Sequence, residues 1–248
     1  MIPKIIHYCW FGGKPLHRKM KQYIQSWKTY CPDYKICRWD ETNFDVNAWL
    51  YTRQAYQAQK FAFVSDVARL WVLVNQGGIY MDTDVEVVQS LDAILSYQAV
   101  VSFEDGKEVS AGLMACEKGF PLFNELLQSY EHRSFLRGDN TYDLIPNVKD
   151  LTQACEKWGF IHNNTQQTKK GLTLLPRDYF SPKDYETGLV YRTPRTLAVH
   201  HMRGSWLKVP LRVKIYWLLY SFLGVKTTRA LQKKWKGFKQ IIRRYVVK

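Results

Sequence analysis

Apolar residues along this chain recur with two rhythms, one near two and one near 3.6, and the switches between them mark its elements. The opening "PKIIHYCWFGG" is a short apolar run closed by two glycines, which predicts a buried strand ending in a turn. In "LHRKMKQYIQSWKTY" the residues Leu16, Met20, Tyr23, Ile24 and Trp27 fall at helical intervals, and "CPDY" stops the helix. "KICRWD" predicts a second strand. From about Asp45 to Gln76 the period is helical, in two helices. The second of these, "FAFVSDVARLWVLVNQ", is apolar on most faces and ends at Gly77, a C-cap residue.

"GIYMDTDVEVV", "AVVSFED", "SAGLMACE", "GLTLLP" and "TLAVHHM" predict further strands, and "FPLFNELLQSYEHR" a helix between them. Residues 138–170 are polar and carry no clear period. Strands alternating with helices give an α/β fold on a mostly parallel sheet flanked by helices. No internal repeat or low-complexity stretch interrupts it.

Composition narrows the class. A chain of 248 residues with 46% hydrophobic and 15% aromatic residues can bury a large core. Its five cysteines form no Cys-x-x-Cys pair, which argues against a zinc ribbon or a secreted disulfide framework and for a reducing compartment. The N-terminus lacks the pattern of a signal peptide, and no stretch of 18 apolar residues predicts a membrane span.

The net charge of +14 is concentrated in one place: residues 207–248 hold twelve Lys or Arg and no Asp or Glu. The expected division is therefore a body over 1–206 and a basic amphipathic helical tail over 207–248. The tail's apolar centre, Ile215 to Val225, is eleven residues and too short to cross about 30 Å of hydrocarbon. Bulky apolar groups alternating with cations suit a helix lying on an anionic membrane surface better than one bound to nucleic acid.

Candidate chemistry lies in "NQGGIYMDTDVEVV", where Asp82 and Asp84 interrupt an apolar run. If the strand continues through them, both carboxylates point to one face. Like charges so placed repel, and a hard divalent cation between them, Mn²⁺ or Mg²⁺, would offset the repulsion while leaving positions for phosphate oxygens. An isolated Asp-x-Asp is more often a pair of solvated loop aspartates, so its surroundings decide.

Those surroundings are specific. "IHYCWFGG", "FVSDVARLWVL", "GIYMDTDVE" and "HHMRGSW" occur in order between residues 2 and 206. Together they resemble the ordered motifs of glycosyltransferase family 32, whose members include bacterial capsular polysaccharide transferases and, more distantly, the clostridial glucosylating toxins. The resemblance implies a GT-A (Rossmann-like) fold over 1–206, a nucleotide-diphospho-sugar donor (UDP-linked), and retaining hexosyl transfer to a glycan or lipid-linked acceptor.

It also implies roles for single residues. Asp82, Asp84 and His200 would hold the metal, His200 rather than His201. Asp66 and Arg69 would join the aspartates as catalytic residues that grip the donor sugar. Trp10 would stack on the nucleobase, Tyr80, Ser65 and Ser110 would line the donor pocket, and Ser205 and Trp206 would meet the diphosphate. His7 is expected to be structural. Ser110-Ala111 departs from the Asn-Ala of many relatives, which leaves sugar specificity open. With the tail, the expectation becomes a peripheral protein on the inner face of the cell membrane, serving capsule or surface-polysaccharide assembly. A sugar-nucleotide-binding pseudoenzyme and a polyanion binder acting through the tail are the alternatives.

Overall fold

The computed structural model describes residues 1–105, 107–184, 186–202 and 211–246, the last stretch with side chains over 213–231. The chain divides into two compact units. One comprises Met1–Pro182 with Arg192–Trp206, the other Lys183–Tyr191 with Leu207–Lys248.

The first unit begins with β1 (Ile5–Cys9), α1 (Arg18–Tyr30) and β2 (Lys35–Trp39). Two helices follow, α2 (Leu50–Gln57) and α3 (Phe61–Gln76), then β3 (Gly78–Met81), β4 (Val85–Val87), β5 (Ala99–Ser102) and β6 (Leu113–Cys116). The unit closes with α4 (Pro121–Gln128), α5 (Asn147–Lys157), β7 (Gln167–Lys169), β8 (Leu172–Leu175) and β9 (Ala198–His200).

Seven strands form one sheet in the order β2-β1-β3-β6-β5-β8-β7, while β4 and β9 pair separately. Five of the seven run the same way; β6 and β7 are reversed. Both faces of the sheet are covered, which explains near-continuous apolar strands in place of polar alternation. Along β3, Ile79 and Met81 join the core that holds Trp27 of α1, while Tyr80 joins the core packed by α3 and α4. Cysteines Cys9, Cys31, Cys37, Cys116 and Cys155 are all free thiols.

The glycine pair between α3 and β3 has a steric reason. Gly77 and Gly78 have φ of +68° and +94°, in the left-handed region that L side chains avoid. A Cβ on Gly77 would lie 2.6 Å from the Lys118 nitrogen, and one on Gly78 2.7 Å from the Ile5 carbonyl oxygen. His7 closes the same junction. The indole of Trp39 donates to its Nδ1 at 3.1 Å, so its protonated Nε2 donates to the Gly77 carbonyl at 3.0 Å. This buried, neutral ring is structural, and burial lowers its pKa to about 4.

Two expectations need correction. The run Gly78–Val88 is two strands in different sheets rather than one. Strand geometry ends at Met81, Asp82–Asp84 form a turn closed by the Val85 amide donating to the Asp82 carbonyl at 3.0 Å, and β4 then pairs with β9. The featureless stretch 138–170 contains α5, whose buried face is only Asn147, Leu151 and Cys155.

In the second unit, α6 (Leu211–Val246) is broken at Gly224, where φ is 74° and ψ 167°. It packs on 183–191: Lys183 Nζ lies 4.9 Å over the Trp217 ring, and Arg229 pairs with Glu186 at 3.1 Å. Ile215, Leu218 and Phe222 are exposed, the last at 79%. Among the described residues no helix is long and apolar enough to cross a membrane.

Candidate active site

The carboxyl ends of β1 and β3 carry Trp10 and Asp82, as expected for ligand sites on open α/β sheets, while α3 carries Ser65, Asp66 and Arg69 and β9 ends at His200. Asp82 follows β3 directly, and its amide donates to the Gly112 carbonyl at 2.8 Å, which anchors the turn to the chain entering β6. Asp84 ends that turn, and His200 ends β9, which pairs Val85 with His200. One ligand atom each from Asp82, Asp84 and His200 lies within 4.8 Å of the others. The convergence comes from the turn and from strand pairing across a second sheet, not from alternation along one strand.

Arg69 connects this cluster to α3. Its Nη2 is 3.1 Å from Asp66 Oδ1 and 3.3 Å from Asp82 Oδ1, and its Nη1 donates to the Ala111 carbonyl at 2.9 Å. Its guanidinium lies 4.8 Å over the Tyr80 ring, and the Tyr80 hydroxyl donates to Asp82 Oδ1 at 2.8 Å. Asp66, Arg69 and Tyr80 are buried, so Arg69 is held by two carboxylates, a carbonyl and a π-face at once.

Charge in the cluster does not balance within the protein. Asp66, Asp82, Asp84 and Glu104 face Arg69 and His200, a formal surplus of two negative charges when all are ionised. Burial raises the Asp66 carboxyl to about 6 even though Arg69 opposes it. Burial depresses the His200 imidazolium, but Asp84, then Glu104 and Asp82, outweigh it and raise the group to about 9. A divalent cation would supply the missing charge. Two carboxylates and one imidazole are a donor set that suits Mn²⁺, and a bound cation would replace the proton that His200 now needs.

The remaining expected residues divide. Ser65 lies on α3, where its carbonyl accepts from Arg69 Nε at 3.2 Å and its hydroxyl is turned to the Phe61 carbonyl, so it contributes backbone. Ser110 is buried beside Gly112, whose amide donates to its hydroxyl at 3.3 Å. Trp10 follows β1, half-buried, its indole N–H donating to the Lys14 carbonyl. His201 leaves the cluster: it stacks on Tyr23 with centroids 4.5 Å apart and meets Glu86 at 2.9 Å. Ser205 and Trp206 lie outside the described residues.

Two participants were missed. Gly112 gives His200 its space, since a Cβ there would lie 2.5 Å from the imidazole Cε1. Glu104 ends the apolar run "AVVSFED" as Asp82 ends "GIYMD", and that parallel was the available signal.

Known proteins resemble this arrangement. Residues 17–101 match the family model for the glycosyltransferase sugar-binding region containing the DXD motif. Over 138 residues the chain is 30% identical to inositol phosphoceramide mannosyltransferase 3 of Schizosaccharomyces pombe, covering 54% of this chain and 38% of that one. It is 26% identical to the mannosyl phosphorylinositol ceramide synthase SUR1 of Saccharomyces cerevisiae, covering 53% of this chain and 35% of that one. The chain thus spans well under half the length of these curated relatives.

Among solved structures, PaToxG glycosyltransferase is similar with a TM-score of 0.52 and 23% identity, over 63% of this chain and 68% of that one. Apo GlyE of Streptococcus pneumoniae TIGR4 is similar with a TM-score of 0.50 and 11% identity, over 96% and 64%. These two likenesses concern the fold. Together with the motif they give the chain a GT-A fold that carries a DXD sugar-binding region. The similarity to family 32 glycosyltransferases is thus one of motif, over residues 17–101, and of fold.

Proposed function

We propose that the chain is a metal-dependent glycosyltransferase that moves a hexose from a nucleotide-diphospho-sugar to a hydroxyl of a lipid-linked or glycan acceptor. The observation that carries this reading is the meeting of Asp82, Asp84 and His200 within 4.8 Å, joined through Asp82 to the Arg69–Asp66 pair. When bound, a divalent cation would offset negative charge developing on the departing diphosphate.

The chain's own residues do the rest. Asp82, Asp84 and His200 would hold the cation. Arg69 keeps Asp82 aimed at that place through its contact with Oδ1. Asp66, poised near pH 6, would accept hydrogen bonds from sugar hydroxyls, and Trp10 would offer a flat face to the base. No side chain is assigned as nucleophile; the retaining course implied by the resemblance would proceed on the leaving-group face. Proton NMR of the product anomer tests this.

The names of the curated relatives refer to mannosyl transfer and to inositol phosphoceramide, a lipid. That supports a lipid-linked acceptor and makes a GDP-linked mannosyl donor the rival of the UDP-linked donor. Surface-polysaccharide assembly remains our reading of the physiological role. The α6 unit, with exposed Ile215, Leu218 and Phe222 and an excess of cations, supports attachment to an anionic leaflet. Removing residues 210–248 should abolish pelleting with anionic vesicles; unchanged pelleting refutes the attachment.

Catalysis is tested by screening UDP- and GDP-linked sugars for thermal stabilisation and hydrolysis, with Mn²⁺ and with EDTA. A sugar nucleotide that stabilises the fold and is hydrolysed only with Mn²⁺ is expected. Stabilisation without turnover would support the pseudoenzyme instead.

A further inference from the structure

Two buried polar atoms beside the Asp82–Asp84–His200 cluster lack hydrogen-bond partners among the described residues. They are Nδ1 of His200 and Oε2 of Glu104. Such atoms are rare in folded proteins, because each loses its water without compensation. These two are complementary: a ring N–H can donate, and a carboxylate oxygen accepts.

The backbone brings the residues that carry them close together. The antiparallel bridge between Phe103 and Val109 sets Glu104 alongside the segment that carries the Ser110 hydroxyl. That hydroxyl accepts from the Gly112 amide at 3.3 Å, and Gly112 lies against the His200 ring edge. The backbone holds this arrangement in place, since the Ser110 amide donates to the Ser102 carbonyl at 2.8 Å and the Glu104 amide to the Glu108 carbonyl at 2.7 Å. Glu104 is partly exposed as a residue, yet its unpartnered oxygen is buried. His200 turns its other nitrogen, Nε2, to Asp84 Oδ1 at 3.5 Å.

We infer that Glu104 is the positioning residue of the metal site: it accepts a hydrogen bond from His200 Nδ1 through one bridging water, and so presents Nε2 to a divalent cation. The inference rests on the metal-dependent reading above. A histidine that ligates a metal generally donates its other ring N–H to a carboxylate, carbonyl or water, which fixes the tautomer and strengthens the ligand. Without Glu104 the ring could bind through the wrong nitrogen.

The test measures Mn²⁺ affinity by electron paramagnetic resonance on the full chain, for wild type, Glu104→Ala, Glu104→Gln, His200→Ala and the Glu104→Ala/His200→Ala double variant. Removing such a partner should weaken Mn²⁺ binding about ten- to hundredfold, with Glu104→Gln retaining part because its amide oxygen still accepts. In the His200→Ala background, Glu104→Ala should cost little more, because its action passes through the imidazole. Thermal melts identify any variant that loses affinity by unfolding, and histidine ¹⁵N shifts of Glu104→Gln, the isosteric variant, then report the tautomer. Unchanged Mn²⁺ affinity in Glu104→Ala, or losses that multiply in the double variant, would overturn the assignment. Absence of Mn²⁺ binding to the wild type would instead overturn the metal-dependent reading and this inference with it.

Discussion

Replacing Gly112 by alanine isolates the geometry of the metal site from its chemistry. No titratable group changes, and Gly112 is not among the left-handed glycines, so the backbone accepts a side chain. The added Cβ would start 2.5 Å from Cε1, 2.7 Å from Nδ1 and 2.9 Å from Nε2 of His200. Ordinary contact begins near 3.4 Å, so the ring must recede by almost an ångström. Overpacking of this kind costs about 1–3 kcal/mol of stability. Metal–ligand bonds tolerate far less displacement, about 0.2 Å around their preferred length. Gly112→Ala should therefore weaken Mn²⁺ binding by at least about tenfold while the protein remains folded, comparable to loss of a supporting residue around a metal. Isothermal titration with Mn²⁺ measures this. Gly138→Ala, where no atom lies within 4 Å, is the control. Equal affinity in Gly112→Ala and wild type would show that His200 does not ligate the metal.

Other expectations follow from the same contacts. Arg69→Met leaves Asp66 and Asp82 without their shared cation and should cost about 3–5 kcal/mol in metal-free urea unfolding, with Mn²⁺ restoring part of it. An undiminished midpoint would show that the pair is not a structural link. His7 should make stability fall on acidification. Its folded pKa of about 4 lies below the unfolded value, so the unfolded chain alone takes up the proton between about pH 6.5 and 4. The wild type should therefore lose about 2 kcal/mol from this group between pH 7.5 and 5, and His7→Gln, though less stable throughout, should lose that increment. Parallel pH profiles would contradict the neutral, doubly bonded ring.

Much of the first unit was legible because long apolar periods are strong signals. The helix α3 and its cap at Gly77 follow from sixteen residues with one rhythm and a glycine stop. The strands β5, β8 and β9 follow from short apolar runs. Strand direction was less legible, because nothing in "SAGLMACE" states that β6 runs against β3 and β5. Helix α5 was hidden by its composition, with three buried residues among eleven. The break at Asp82–Asp84 was hidden for the opposite reason: apolar alternation continues through the turn, so the rhythm survives although the strand does not.

The candidate site was legible where the chemistry is dense. Two aspartates in an apolar run need compensation whatever the backbone does, and the Asp66–Arg69 spacing places both side chains on one helical face. Glu104 and Gly112 escaped because their importance is relational. An acid after a strand is ordinary until its oxygen is found buried and unpartnered, and a glycine after Ser-Ala is ordinary until an imidazole fills the space beside it.

The central claim is that a divalent cation neutralises the acids at Asp82 and Asp84. Electron paramagnetic resonance of free Mn²⁺, titrated with wild-type protein and with Asp84→Asn, addresses it without knowledge of donor or acceptor. The account predicts a single saturable site in the wild type, tightened by a nucleoside diphosphate and lost in the variant. Equal uptake by the two proteins, or none by either, would contradict it.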